Sequence, residues 1–295
     1  MPRPDFARLA TRLKLWTKYL MFPGTNWVSR DKSRLVKMLL SGTPDRPVRT
    51  LDCGCGNAYF THQAALRGGQ CTGITIHDWE RANCEQMRAF LGLPPEQMAF
   101  RVASLDQFAA DRAHQGRFDQ VLMLDVIEHI MDAHKTFRQI HRLLDRDGFV
   151  YVTTPDRDWQ AHTSRIRVAR AENGWHVRNG YTMEQLETVL EECGFEPIDR
   201  LRFGTLGSTL VTWIQHKLFR SRIDAMTVLF FPVLKLLALL LSPVRDSHTI
   251  FVLARKRRGS ITRPGRQRPR RERWAEPAEK PRTHEAGSAR YSDED

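Results

Sequence analysis

The chain has 295 residues, 41% of them hydrophobic, and 46 Lys and Arg against 34 Asp and Glu give it a net charge of +12. That length can bury a full α/β core as one large domain with additions. Residues 255–295 hold 13 basic and 7 acidic residues, half of the positive excess, so the charge does not make nucleic acid the expected partner. The five cysteines, at 53, 55, 71, 84 and 193, form no C-x-x-C pair. An odd count without a secretory signal points to a reducing, cytoplasmic setting and away from a disulfide scaffold.

Along the N-terminal segment, residues 1–47, Phe6, Leu9, Leu13, Trp16 and Leu20 recur at helical spacing, while Arg8, Arg12, Lys14 and Lys18 fill the other faces. This is the pattern of a basic amphipathic helix. Two roles are open for it: lying on an anionic membrane, or packing over the mouth of a ligand site. The stretch V-R-T-L-D-C-G-C-G-N-A-Y-F-T, residues 48–61, then reads as a strand ending at Asp52, followed by a turn in which Gly54 and Gly56 let the backbone approach a nucleotide. Asn57, Ala58 and Tyr59 follow, so the third glycine of a dinucleotide loop is missing. A carboxylate before the glycines also suits a cationic or amine-bearing ligand better than a phosphate.

From residue 48 to 256, short apolar strands alternate with amphipathic helices, which implies a parallel sheet with helices on both faces. Strands are expected at 48–52, 70–75, 98–103, 118–124, 149–154, 195–202 and 249–255, seven in all. Helices are expected at 59–67, 78–91, near 106–114, at 133–144, and from a capping box at Thr182 to Gln185 up to Gly194. An apolar insertion, about 206–245, precedes the last strand, and residues 257–295 form a basic tail expected to be disordered. The tail reads as a solvated extension, with an anionic membrane or nucleic acid as the alternative contact.

The glycine turn resembles motif I of the class I S-adenosylmethionine-dependent methyltransferases, with Ala58 where that family most often has its last glycine. F-D-Q-V-L-M-L-D-V-I-E-H-I (118–130), I-H-R-L-L-D-R-D-G-F-V-Y-V-T-T-P (140–155) and H-V-R-N-G-Y-T-M-E-Q-L-E-T-V-L-E-E-C-G-F (176–195) are similar to the later motifs of the type 11, quinone O-methyltransferase-like branch. Four motifs in order are more specific than any one of them. The resemblance implies a Rossmann-like fold and S-adenosyl-L-methionine as cofactor. It assigns cofactor contacts to Asp52, Gly54, Gly56, Asn57, Thr75, Ile76, Leu105, Asp106 and Leu124, with Arg30, Lys32 or Arg34 offered to the methionyl carboxylate.

Two positions depart from the family. Where it has an acid for the ribose hydroxyls this chain has Thr75, and where it often has an acid for the adenine amine this chain has Ser104. Thr75-Ile76 also resembles the G-x-T-L-S of cyclopropane-type lipid methyltransferases. Asp125, Glu128 and His129 form D-x-x-E-H after the fourth strand. Glu128, His129 and His176 are the catalytic candidates, as bases for an acceptor hydroxyl. The resemblance allows a divalent metal at Asp125, Glu128 and His129, but none is predicted; bracing of the loop is the competing reading.

The insertion A-M-T-V-L-F-F-P-V-L-K-L-L-A-L-L-L (225–241) contains Pro232 and Lys235 and is shorter than the ~20 residues that a membrane span needs. With His216, Lys217, Arg220 and Arg222 beside it, an interfacial or substrate-covering helix pair is expected, peripheral at the inner face of the membrane. The reading is therefore a cytoplasmic methyltransferase acting on oxygen of a lipophilic or glycosylated small molecule. Carbon methylation of a lipid or quinone is the alternative chemistry. The alternative of another class is a non-catalytic membrane or nucleic-acid adaptor on the same fold, and a nicotinamide oxidoreductase is disfavoured by Tyr59.

Overall fold

Period-two burial organises the central strands. In β1 (Arg49–Cys53) Leu51 and Cys53 point to one face of the sheet; in β4 (Phe118–Leu124) Val121 and Met123 join that face while Leu122 and Leu124 serve the other. Strands buried on both sides in this way have to be covered by helices on both sides. A computed structural model describes residues 6–24, 27–159, 172, 176–215, 217 and 223–258. The basic tail from 259 onward, and His216, Arg220 and Arg222, lie outside them.

The remaining strands are β2 (Gln70–Thr75), β3 (Met98–Val102), β5 (Leu144–Pro155), β6 (Phe195–Thr205) and β7 (Arg245–Lys256). They form one seven-stranded sheet in the order β3-β2-β1-β4-β5-β7-β6. Six strands run parallel and β7 runs antiparallel between β5 and β6, so the sheet is mixed where the sequence rhythm suggested a parallel one. The helical segment between β6 and β7 leaves the chain at the end where β6 finished, and β7 enters from there, antiparallel to both of its neighbours.

Helices α1 (Phe6–Leu20), α2 (Trp27–Leu39), α3 (Tyr59–Ala65) and α4 (Asp78–Phe90) precede β3 in the chain. α5 (Leu105–Ala110), α6 (Ala133–Leu143) and α7 (Met183–Glu192) follow it, and α8 (Leu206–Ile214), α9 (Ile223–Leu229) and α10 (Phe231–Leu240) lie between β6 and β7. Residues of α2, α3 and α4, such as Val36, Ala64 and Cys84, are buried on one side of the sheet, while Phe108, Phe137, Ile140 and Leu186 of α5 to α7 pack on the other. Trp27, Val211 and Leu234 form a third, smaller cluster that joins α2 to α8 and α10. Helix α2 has no sequence expectation, because its buried side carries Lys32 and Ser33 beside Trp27 and Val36 and so breaks the apolar stripe.

Candidate functional site

In an open α/β sheet the ligand crevice lies beyond the carboxyl ends of the strands, where the strand order reverses. Here that point falls between β1 and β4, neighbours from which the chain winds outward in opposite directions. A cavity of about 1230 Å³ opens there, lined by the β1 turn, the end of β4, the start of α4 and the N-terminal helix.

The β1 turn is shaped by its backbone. Gly54 and Gly56 have φ of 70° and 53°, and both line the cavity. A Cβ on Gly54 would stand 2.8 Å from Val126 Cγ2. Ala58, in the family's third glycine position, keeps the left-handed conformation at φ 66°, at a cost of about 1 kcal/mol for an L residue. Asn57 also lines the cavity; its amide donates to the Pro23 carbonyl at 2.8 Å, and its side-chain oxygen accepts from the Tyr59 amide at 3.2 Å. Asp52 lies below the turn and does not line the cavity. Its buried carboxylate accepts from the Thr61 hydroxyl at 2.6 Å, and burial pushes it up to about 7 against the lowering effect of that bond.

At the end of β2 the Thr75 hydroxyl donates to Glu80, in the first turn of α4. Glu80 lines the cavity, next to Trp79 and Asn83. The acid absent from the strand end is thus present five residues later, brought back by the turn into α4. Ile76 is exposed and is not part of the described lining. Leu105 packs against the core on the opposite side of the sheet. Asp106 is held by Lys135 and by the Gln139 amide at 2.7 Å, and these contacts, Lys135 first, keep its carboxyl below the usual range. Ser104 caps α5: its hydroxyl accepts from the Gln107 amide and the Gln107 side chain accepts from the Ser104 amide.

The turn after β4 is shaped by charge. Leu124 and Asp125 line the cavity, and Asp125 has a left-handed φ of 55°. Its carboxylate is paired with Lys32 of α2 and accepts from the Thr153 hydroxyl at 2.9 Å. Burial opposes ionisation of Asp125, but the adjacent Lys32 ammonium and these bonds outweigh it and hold the carboxyl low. Of the three cations offered to the cofactor, Lys32 alone is among the lining residues. Arg34 is exposed, and Arg30 donates to the Met21 and Gly24 carbonyls and stacks on Trp27 and Phe231.

Glu128, His129 and His176 converge. One ligand atom from each lies within 4.8 Å of the others, and the two imidazole rings are 4.5 Å apart between centroids. Glu128 Oε2 and the Nδ1 atoms of both histidines are buried without hydrogen-bond partners among the described residues. Burial first, and the negative Asp125 second, push Glu128 up to about 8. Burial and the neighbouring His129 lower His176. Asp125 is not in this set, because Lys32 holds it. None of the three is among the described residues that line the cavity; they are electrostatic neighbours of Asp125 at its β4 end. Sequence reasoning missed Glu80, Trp79 and Asn83, whose signal was the helix start directly after β2, and the Lys32–Asp125 pairing, for which the sequence carries none.

Comparison with known proteins agrees with this architecture. The family profile described as "Methyltransferase domain" matches residues 26–199, and the chain belongs to that family. The ubiquinone biosynthesis O-methyltransferase of Ruegeria pomeroyi is 28% identical over 54% of this chain and 64% of its own length; the mitochondrial protein of that name from Bos taurus is 23% identical over 55% and 46%. The chain thus spans about half to under two thirds of the length of these curated relatives. The solved structure of Haemonchus contortus phosphoethanolamine N-methyltransferase 2 with S-adenosyl-L-methionine superposes with a TM-score of 0.52 at 19% identity, covering 83% of this chain and 57% of that one. The fold is that of the class I S-adenosylmethionine-dependent methyltransferases.

Proposed function

We propose that the chain is an S-adenosylmethionine-dependent methyltransferase that alkylates an oxygen of a lipophilic small molecule. The observation that carries this reading is the cavity at the β1/β4 switch point, floored by two left-handed glycines and bordered by the Glu80 carboxylate in the first turn of α4. The residues present fit the cofactor. Gly54 and Gly56 allow its methionyl part to lie against the backbone, and Glu80, which accepts from the buried Thr75 hydroxyl, offers a carboxylate to a ribose diol. Lys32 is a cation at the same cavity, and Trp79 and Phe60 offer aromatic surface.

When bound, the cofactor supplies a methyl group made electrophilic by its sulfonium. The chain has then to align the acceptor, keep water out and take the acceptor's proton. We assign the proton to His129 and His176, which adjoin the cavity beside Asp125 without being part of its described wall. Burial and His129 lower His176, which favours the neutral ring that can accept a proton, and burial pushes Glu128 up, towards its protonated form. The same three donors could hold a divalent cation, which would acidify an acceptor hydroxyl. A lipophilic acceptor fits the apolar rim contributed by Leu13, Met21 and Val228, and it agrees with relatives named for ubiquinone biosynthesis.

Titration calorimetry with S-adenosylhomocysteine and with NAD tests the reading. Micromolar binding of the former alone supports it; binding of neither favours a non-catalytic adaptor, and binding of NAD alone an oxidoreductase.

A further inference from the structure

Helix α1 turns one side inward, with Leu15 and Met21 beyond its end buried and Trp16 edge-on to Phe90 of α4, but Leu9 and Leu13 are 62% and 67% exposed. Helix α10 buries Leu234 against Trp27 while Leu236 and Leu240 are 58% and 68% exposed. The α1 surface reaches the opening directly, where Leu13 lines the cavity, and α10 begins three residues after Val228 of α9, which lines it too. Neither α1 nor α10 contains an acidic residue, and Arg12, Lys14 and Lys235 are exposed on them. Helices of 15 and 10 residues rise about 1.5 Å per residue, well short of a ~30 Å hydrocarbon core, and no helix among the described residues is long and apolar enough to cross a membrane.

We infer that the exposed faces of α1 and α10 seat the rim of the cavity on an anionic phospholipid surface, so that the acceptor enters from the bilayer. This rests on the reading of the cavity as the methyl-transfer site. The two sequence-level roles of α1 then meet at the rim: Leu13 and Lys14 line the cavity and, with Leu9 and Arg12, stay exposed to meet lipid. Leucines at the acyl boundary, with Arg and Lys at headgroup level, match the chemistry of an anionic interface. A second copy of the chain fits less well. A two-fold contact would set Arg12, Lys14 and Lys235 against an equally basic surface, and it would close the opening that the acceptor must use.

The experiment is co-sedimentation of the full chain with vesicles of phosphatidylglycerol and phosphatidylcholine, and with phosphatidylcholine alone. Wild type should pellet with the anionic vesicles. Leu236→Glu with Leu240→Glu should lower that partitioning at least tenfold, and Leu9→Glu should lower it in the same direction. Arg12→Glu should lower it by roughly fivefold or more on anionic vesicles only, the effect of about one basic side chain near such a surface. All variants keep the C-terminal residues, so the differences report on the two helices. S-adenosylhomocysteine binding, measured on each, should stay within twofold of wild type. Wild type left in the supernatant, or variants that pellet like wild type, overturns the inference. So does a wild-type dimer that Leu236→Glu with Leu240→Glu converts to monomer while vesicle binding is unchanged. Failure of wild type to bind S-adenosylhomocysteine overturns the methyltransferase reading instead, and it is read separately from the pellet.

Discussion

The turns after β1 and β4 face one cavity and are built on opposite principles. The β1 turn is a backbone device: left-handed Gly54, Gly56 and Ala58 set the path, and its acid, Asp52, is buried away from the cavity on Thr61. The β4 turn is an electrostatic device: Asp125 at positive φ is held by a lysine 93 residues away in sequence, with Glu128 and two histidines beside it. The contrast teaches that the first turn is pre-organised by local sequence. The second is complete only when α2 has docked.

The comparison can be broken at its most dependent point first. Lys32→Met leaves the Asp125 carboxylate without its cation; Lys32 is 1% exposed, so the loss should approach the buried-pair range, about 3 kcal/mol, seen as a lower midpoint in urea unfolding. Adding Asp125→Asn should recover much of it, and no recovery would mean that the pair is not the source of the effect.

Asp52 gives a pH test of the other turn. Its folded pKa, about 7, lies above the ordinary aspartate value of 3.8, so folding favours the protonated form. Its contribution is full below the unfolded value and is lost as pH rises from about 4 to about 7. Asp52→Asn should flatten that decline, with a gain of a few kcal/mol at pH 8 as the upper bound. Unfolding curves for both proteins at acid and alkaline pH would show it, and parallel pH profiles would remove Asp52 as the cause.

Smaller effects separate backbone from side chain. Gly54→Val places a branched side chain at φ 70° against Val126, and S-adenosylhomocysteine should bind at least ~30-fold more weakly, about 2 kcal/mol. Glu80→Gln removes one charged acceptor at the cavity and should weaken the same binding about tenfold, in line with a charge-assisted hydrogen bond. Ser104→Ala should cost about 1 kcal/mol of stability through the lost capping box and leave binding alone. A binding loss there would return Ser104 to the cofactor.

Much of the scaffold was legible because local rules fix it. Alternating burial in β4 and the capping boxes at Ser104 and Thr182 follow from a few neighbouring residues, and the strand and helix bounds agree with expectation to within a few residues over most of the fold. β5 and β7 run longer than their apolar cores, because each is paired again beyond a register shift, Leu144 with Phe118 and Arg245 with Thr205.

The site was legible in part. Gly54, Gly56, Asn57 and Leu124 could be placed at one crevice, since a glycine turn after a strand and the end of a central strand meet wherever this sheet forms. By itself the sequence determined the seven-strand rhythm and the glycine turn, because both depend on short-range backbone preference and on hydrophobic period. Tertiary structure alone decided that β7 runs antiparallel, that the Thr75 hydroxyl meets Glu80 at the cavity edge, that His176 joins Glu128 and His129, and that Lys32 pairs with Asp125. Each of these is a meeting of groups with no periodic signature, set by how helices and strands pack. Charge and hydrogen-bond geometry then fix the partners only once the chain has brought them within reach.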